Sequence, residues 1–257
     1  MNTVLRRREP HDWWNTVALG VTAVITFLMI WFSACSSVSQ SAGTSNKAPA
    51  KTSDTPAPPA YATRAVATAE SIPTSLADAG EYGENVYDYA KASDWKNADV
   101  KLAALRAAAK QVSADVKNSG AAVDRLDGNV AALGRAVSSK DRQATMREAN
   151  QVTLDVADMT TAYRLSVPVE VTKLDYYGRE LEVWAEARDT SKLQATAGEM
   201  RRTWDALRPS IETHSTKEAK RFDALVAQVE SAKAPADYAR VATPVLNEVD
   251  NLEKLFP

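Results

Sequence analysis

Residues 82–94 read YGENVYDYAKASD, and residues 177–189 read YGRELEVWAEARD. Displaced by 95 positions, the two stretches share Tyr, Gly, an aliphatic side chain, an aromatic one, two alanines and a closing aspartate. Apolar residues in each recur at three- and four-residue spacing, the period of an amphipathic helix. The stripe is Ala79, Tyr82, Val86 and Tyr89 in the first copy and Leu174, Tyr177, Leu181 and Trp184 in the second. One apolar stripe on a helix needs other helices to cover it, so the repeated unit must be larger than a single helix.

The repeat extends in both copies. A second helix has the stripe Ala98, Leu102, Leu105, Ala109, Val112, Val116, matched by Leu193, Ala197, Met200, Trp204, Leu207, Ile211. In a third, Arg125-Leu126-Asp127 aligns with Arg221-Phe222-Asp223 at a displacement of 96. In a fourth, Ala149, Val152, Val156, Met159 and Tyr163 align with Ala242, Val245, Val249, Leu252 and Phe256 at 93. The displacement changes between helices, where loop length is free to vary. Helices of roughly 18–25 residues span about 27–38 Å. The expected fold is therefore all-α: a tandem duplication of an up-down four-helix bundle unit, about eight helices, with units at 76–165 and 166–257 packed side by side or end to end.

Boundary residues fit this division. Ser75-x-x-Asp78, Ser138-x-x-Asp141 and Ser215-x-x-Glu218 have the spacing of N-terminal caps. Pro235 suits a first turn, and Pro168 marks the joint between units. Pro244 falls inside the last helix, which should kink or break near Thr243. Gly83 and Gly178 sit mid-helix at equivalent positions, where glycine costs about 1 kcal/mol against alanine. Close approach of another helix, or a notch for a small ligand, would explain them.

Composition bounds the function. The chain has 257 residues, 31 Lys+Arg, 33 Asp+Glu and only 9 Gly. Without residues 1–34, which hold Arg6, Arg7, Arg8, Glu9 and Asp12, 28 basic side chains stand against 31 acidic ones. No clustered basic face is left for nucleic acid. Cys35 is the only cysteine, so the helical region has no internal disulfide, thiolate metal site or cysteine nucleophile.

Cys35 stands at the end of an uncharged apolar run from Val17 to Ala34 that follows the Arg6-Arg7-Arg8 cluster. Basic residues before such a run hold that end in the cytoplasm. Phe32-Ser33-Ala34-Cys35 resembles the lipobox of bacterial lipoproteins, with an apolar residue third before the cysteine and small residues next to it. The resemblance covers about 35 residues and implies that residues 1–34 are a signal peptide, with a diacylglycerol on the Cys35 thiol and fatty acylation of the palmitate type. Leu is commoner than Phe at position 32. Ser36 after the cysteine, by the same resemblance, implies the outer membrane facing the periplasm if the source is Gram-negative. The alternative is an uncleaved signal-anchor in the inner membrane. Both place residues 36–257 outside the cytoplasmic membrane. Residues 35–75 contain mostly Ser, Thr, Ala and Pro and read as a flexible tether.

Candidate chemistry is sparse. His11 lies in the signal region, and His214 lies at a helix joint with no H-x-x-E or H-E-x-x-H spacing. A duplicated extracytoplasmic bundle is similar in architecture to the imelysin-like, iron-uptake-associated proteins, but their His-containing metal motif has no counterpart here. Asp155, Asp158, Glu248, Asp250 and Glu253 are the carboxylates that could make a bundle metal site. Their phase beside the apolar stripes favours solvated or ion-paired roles instead. Tyr82, Tyr176 and Tyr177 are candidate ligand-contacting rings. Tyr176 and Tyr177 cannot share one stripe, so one should face a groove between units. No catalytic constellation or cofactor fingerprint is present. The expected function is a non-enzymatic, envelope-anchored binding or protein-interaction module. It would be held to the membrane by lipid on Cys35, with a protein or small-molecule partner and no cofactor. The alternative is a periplasmic metal-binding or metal-trafficking accessory built on the five carboxylates.

Overall fold

The computed structural model describes residues 71–116 and 120–256. The signal region, Cys35 and nearly all of the tether lie outside these. Among the described residues there are eight helices and no strand: α1 (Thr74–Lys91), α2 (Trp95–Asp115), α3 (Gly120–Ser138), α4 (Arg142–Thr160), α5 (Val169–Ala187), α6 (Thr190–His214), α7 (Thr216–Ser231) and α8 (Pro235–Glu253). None is long and apolar enough to cross a membrane.

The helices close into two rings. Each of α1 to α4 packs on the next, and α4 returns to α1; α5 to α8 do the same, with a further α6–α8 contact. Each ring encloses its own apolar cluster. All six stripe positions of α6 are buried, as are five of the six in the second helix of the first ring. Trp204 is fully buried and packs on Phe222 with ring centroids 4.6 Å apart. The equivalent Leu126 is also fully buried.

Three of the turns between helices are built alike. Ser93, Lys140 and Arg188 take left-handed backbone conformations, and each is followed by an aspartate. Asp94, Asp141 and Asp189 then cap the next helix, accepting from the backbone N–H of Asn97, Ala144 and Lys192 at 3.2, 3.0 and 3.0 Å. The left-handed residue lets the chain reverse and satisfies the last carbonyls: Asp94 N–H donates to Tyr89 O, and Asp189 N–H to Trp184 O.

Several boundary expectations need correction. Ser75 does not cap α1; Pro73 precedes that helix, and the Ser75 hydroxyl donates to Asp115 Oδ2 at 2.6 Å. Ser138 ends α3 and its hydroxyl returns to Gly134 O, so Asp141 is itself the cap of α4. Ser215 does cap α7, accepting from Glu218 N–H. The helix α8 runs unbroken through Pro244, and α6 runs unbroken through Pro209. Both prolines lie on exposed faces, where water can bond the carbonyl that proline leaves unpaired. Tyr87, not Tyr89, is the fully buried aromatic of α1, because a second surface of that helix is covered by the other ring.

The rings lie side by side. Along α4 and α5, Arg142 pairs with Glu186, Asn150 Nδ2 donates to Glu180 Oε1 at 3.1 Å, and Lys173 Nζ meets Asp158 at 3.0 Å. These contacts run the length of both helices, which are antiparallel. Val183 of α5 packs into the apolar cluster of the first ring, and Trp184 touches both clusters.

The mid-helix glycines allow two of these helix pairs to approach. A Cβ at Gly83 would meet Val152 Cγ1 at 3.1 Å and Thr153 Cγ2 at 3.3 Å; one at Gly178 would meet Leu246 Cδ2 at 2.6 Å and Val245 Cγ1 at 3.4 Å. Val152 with Val245, and Thr153 with Leu246, are equivalent at the displacement of 93. The same close contact thus occurs between the first and fourth helices of both rings, and neither glycine opens a ligand notch.

Candidate functional site

The polar groups concentrate in the seam between the rings. Asn150 is fully buried there and donates to Tyr176 O and Glu180 Oε1, both at 3.1 Å. Glu180 also accepts from Trp184 Nε1. Burial raises the Glu180 carboxyl above its ordinary range, and these two donors oppose that rise. The Tyr176 ring is buried in the seam, its hydroxyl accepting from Gln151 Nε2 at 2.7 Å. Tyr177 turns into the core of the second ring. Tyr82 packs against the core of the first, under Lys101 Nζ at 5.0 Å from its centroid. The Tyr176 and Tyr177 rings meet edge to face with centroids 5.2 Å apart, whereas Tyr82 lies on the first ring's core, so the three form no common ligand surface.

On the other side of α5, Arg179 is 5% exposed. Its Nε lies 2.6 Å from Asp175 and its Nη2 3.3 Å from Glu84 of α1. The guanidinium stands over the Tyr87 ring, 5.0 Å from the centroid. Burial alone would lower this guanidinium's pKa, but Asp175, Glu84 and Asp88 outweigh it and hold it well above the ordinary value. Tyr87 donates to Glu182 Oε2 at 2.9 Å, and Lys91 Nζ reaches the same carboxylate at 2.6 Å. The Glu253 carboxyl of α8 is pushed up to about 9 by burial, then by Asp175, Glu84 and Asp250.

The five carboxylates considered for a metal do not converge. Asp155, 4% exposed, accepts from Arg125 Nε at 2.8 Å and Asn129 Nδ2 at 2.5 Å, so it ties α4 to α3. Asp158 bridges Arg125 and Lys173. Glu248, 8% exposed, takes Asn251 as donor, and burial and the neighbouring Glu218 raise its carboxyl. Asp250 and Glu253 belong to the surroundings of Arg179. Among the described residues no group of three or more His, Cys, Asp or Glu could hold a metal ion. Asp155 and Glu248 are equivalent at the displacement of 93. Both are more buried than their flanking phase suggested, because the third helix of each ring closes over them.

His214 is exposed at the end of α6, edge-on to Phe256 with centroids 4.8 Å apart. It has no carboxylate partner among the described residues.

Two open concavities are formed by described residues. One, of about 590 Å³, lies at one end of the seam, where Lys91 and Glu182 face Arg142 and Glu186 across a floor that includes Met146, Ala185 and Pro235. The other, of about 640 Å³, runs between α2 and α3 over Ala109 and Val130. Neither was legible as a stripe, since each is bordered by side chains of more than one helix. Comparison with protein-family models, with curated proteins and with solved structures finds no match for this chain.

Proposed function

We propose that this chain is a lipid-anchored, non-enzymatic protein of the bacterial cell envelope whose paired bundles bind a partner outside the cytoplasmic membrane. The observation that carries the reading is the position of the seam cleft. The tether enters at the start of α1, and the up-down course brings Lys91, Arg142, Glu186 and Pro235 together at the opposite end. The 18 residues of α1 separate the two ends by about 27 Å. A protein held through Cys35 would therefore present this cleft away from its point of attachment. The seam's charged groups support a structural role: Lys91 with Glu182 and Arg142 with Glu186 join the rings and frame the cleft with fixed, paired charge.

Anchoring and binding are tested together by a photo-crosslinking residue at Ala236, which is exposed on the cleft floor. In cells it should give one discrete crosslinked species, lost when Cys35→Ala misplaces the protein. A species unchanged by Cys35→Ala would remove the anchored part of the reading, and absence of any species would remove the partner at this cleft.

A further inference from the structure

The two rings differ where α2 meets α3 and where α6 meets α7. In the second ring this junction is filled. Trp204 Nε1 donates to Asp223 Oδ1 at 2.8 Å, and Arg208 grips the same carboxylate through Nε at 2.9 Å and Nη2 at 3.0 Å. Arg201 forks onto Glu230 at 3.0 and 2.7 Å and also meets Asp205.

At the displacements of 95 and 96, the first ring has Ala109 for Trp204, Ser113 for Arg208, Lys110 for Asp205 and Gly134 for Glu230. The register is fixed independently by contact. Arg201 lies over Glu230, and Arg106, its equivalent, lies against Gly134, where its guanidinium takes the space a Cβ would need. Asp127 is the equivalent of Asp223 and is exposed, with no ion pair or hydrogen bond to another described residue. Arg106 and Lys110 likewise have no carboxylate partner among the described residues. The α2/α3 groove of about 640 Å³ is lined by Arg106, Ala109, Lys110, Ser113, Asp127 and Val130 among others. The first ring therefore keeps the acceptor and the apolar bed while lacking the ring and the cation that fill them in the second.

We propose that this groove docks a segment of a partner protein presenting an aromatic side chain beside a basic one, the ring on Ala109 and Val130 and the cation on Asp127. The chain's own second ring is the template for that chemistry: an indole stacks on apolar side chains while a guanidinium takes two oxygens of one carboxylate. Arg106 and Lys110 favour an acidic residue next to the aromatic one, the place Asp205 has beside Trp204. The proposal rests on the binding-module reading and names its partner's chemistry.

The probe is a fluorescein-labelled peptide of residues 203–208, TWDALR, titrated against the full chain in detergent and read by anisotropy. Saturable binding is expected. It should weaken about tenfold in Asp127→Asn, as for loss of a hydrogen-bonded charge, and vanish in Ala109→Trp, which fills the groove. A peptide with alanine for its Trp should not bind. The double change Ala109→Trp with Ser113→Arg should raise Tm by recreating the packing of the second ring. No saturable binding, or equal binding by Ala109→Trp and wild type, would overturn the proposal. Crosslinkers at Ala131 on the groove rim and Ala236 in the seam cleft separate the two readings in cells. A species at Ala236 with none at Ala131 would remove the groove proposal and leave the module reading; none at either would remove both.

Discussion

Glu253 carries a proton that the unfolded chain would release. Its carboxyl is raised from 4.5 to about 9, by burial first and by Asp175, Glu84 and Asp250 after it. Between those values the folded state binds more protons than the unfolded one, so this group lowers stability as pH rises through the window. Glu253→Gln keeps the shape and removes the titration. Its Tm should exceed that of wild type at pH 8 and approach it at pH 4; an equal difference at both would contradict the assignment. Asp155 is held from α3 by two donors, Arg125 Nε and Asn129 Nδ2. Asp155→Asn should cost about 1.5–3 kcal/mol by denaturant unfolding, the scale of a hydrogen bond to a charged group. A loss within about 0.5 kcal/mol would mark it as a surface residue. Trp204→Ala, in a fully buried site, should cost about 3–5 kcal/mol.

Helices and turns show where the repeat is strict. Arg188 has a left-handed backbone without being glycine, a conformation that costs an L-residue roughly 1–2 kcal/mol. Arg188→Gly should therefore raise stability by about 0.5–1 kcal/mol, the gain reduced by glycine's greater freedom when unfolded. A lower melting temperature would show that the side chain contributes more than the turn. Gly178→Ala would bring a Cβ within 2.6 Å of Leu246 Cδ2. Overpacking of about 1–3 kcal/mol should exceed alanine's helix advantage of about 1 kcal/mol. Gly83→Ala, with its nearest contact at 3.1 Å, should be milder. The stripes of the first, second and fourth helices were legible because each ring buries one face of each helix, and that burial has the helix period. Pro244 misled because it falls on a solvent face, which periodicity of the buried face does not weigh.

At the scale of the molecule, the seam was what the stripes could not show. Helices α1, α4 and α5 are covered on a second face, so Tyr87, Asn150, Arg179, Glu180 and Val183 are buried at positions one stripe leaves outside. Some of these are polar and interrupt any apolar pattern, which is why their partners emerge only when the rings are brought together. The candidate site followed the same logic: five acids read as one set are divided by the tertiary structure, and the groove over Ala109 became visible only against its filled counterpart. The all-helical duplication was plain from Tyr82 and Tyr177 outward, whereas the proposed attachment to the envelope rests on the sequence Phe32-Ser33-Ala34-Cys35 alone. Intact-mass spectrometry of the full-length product recovered from the membrane fraction tests that claim most directly. A protein beginning at Cys35 with a diacylglycerol on its thiol is the predicted result, with Cys35→Ala left uncut; wild-type protein that retains residues 1–34 and carries no lipid would contradict it.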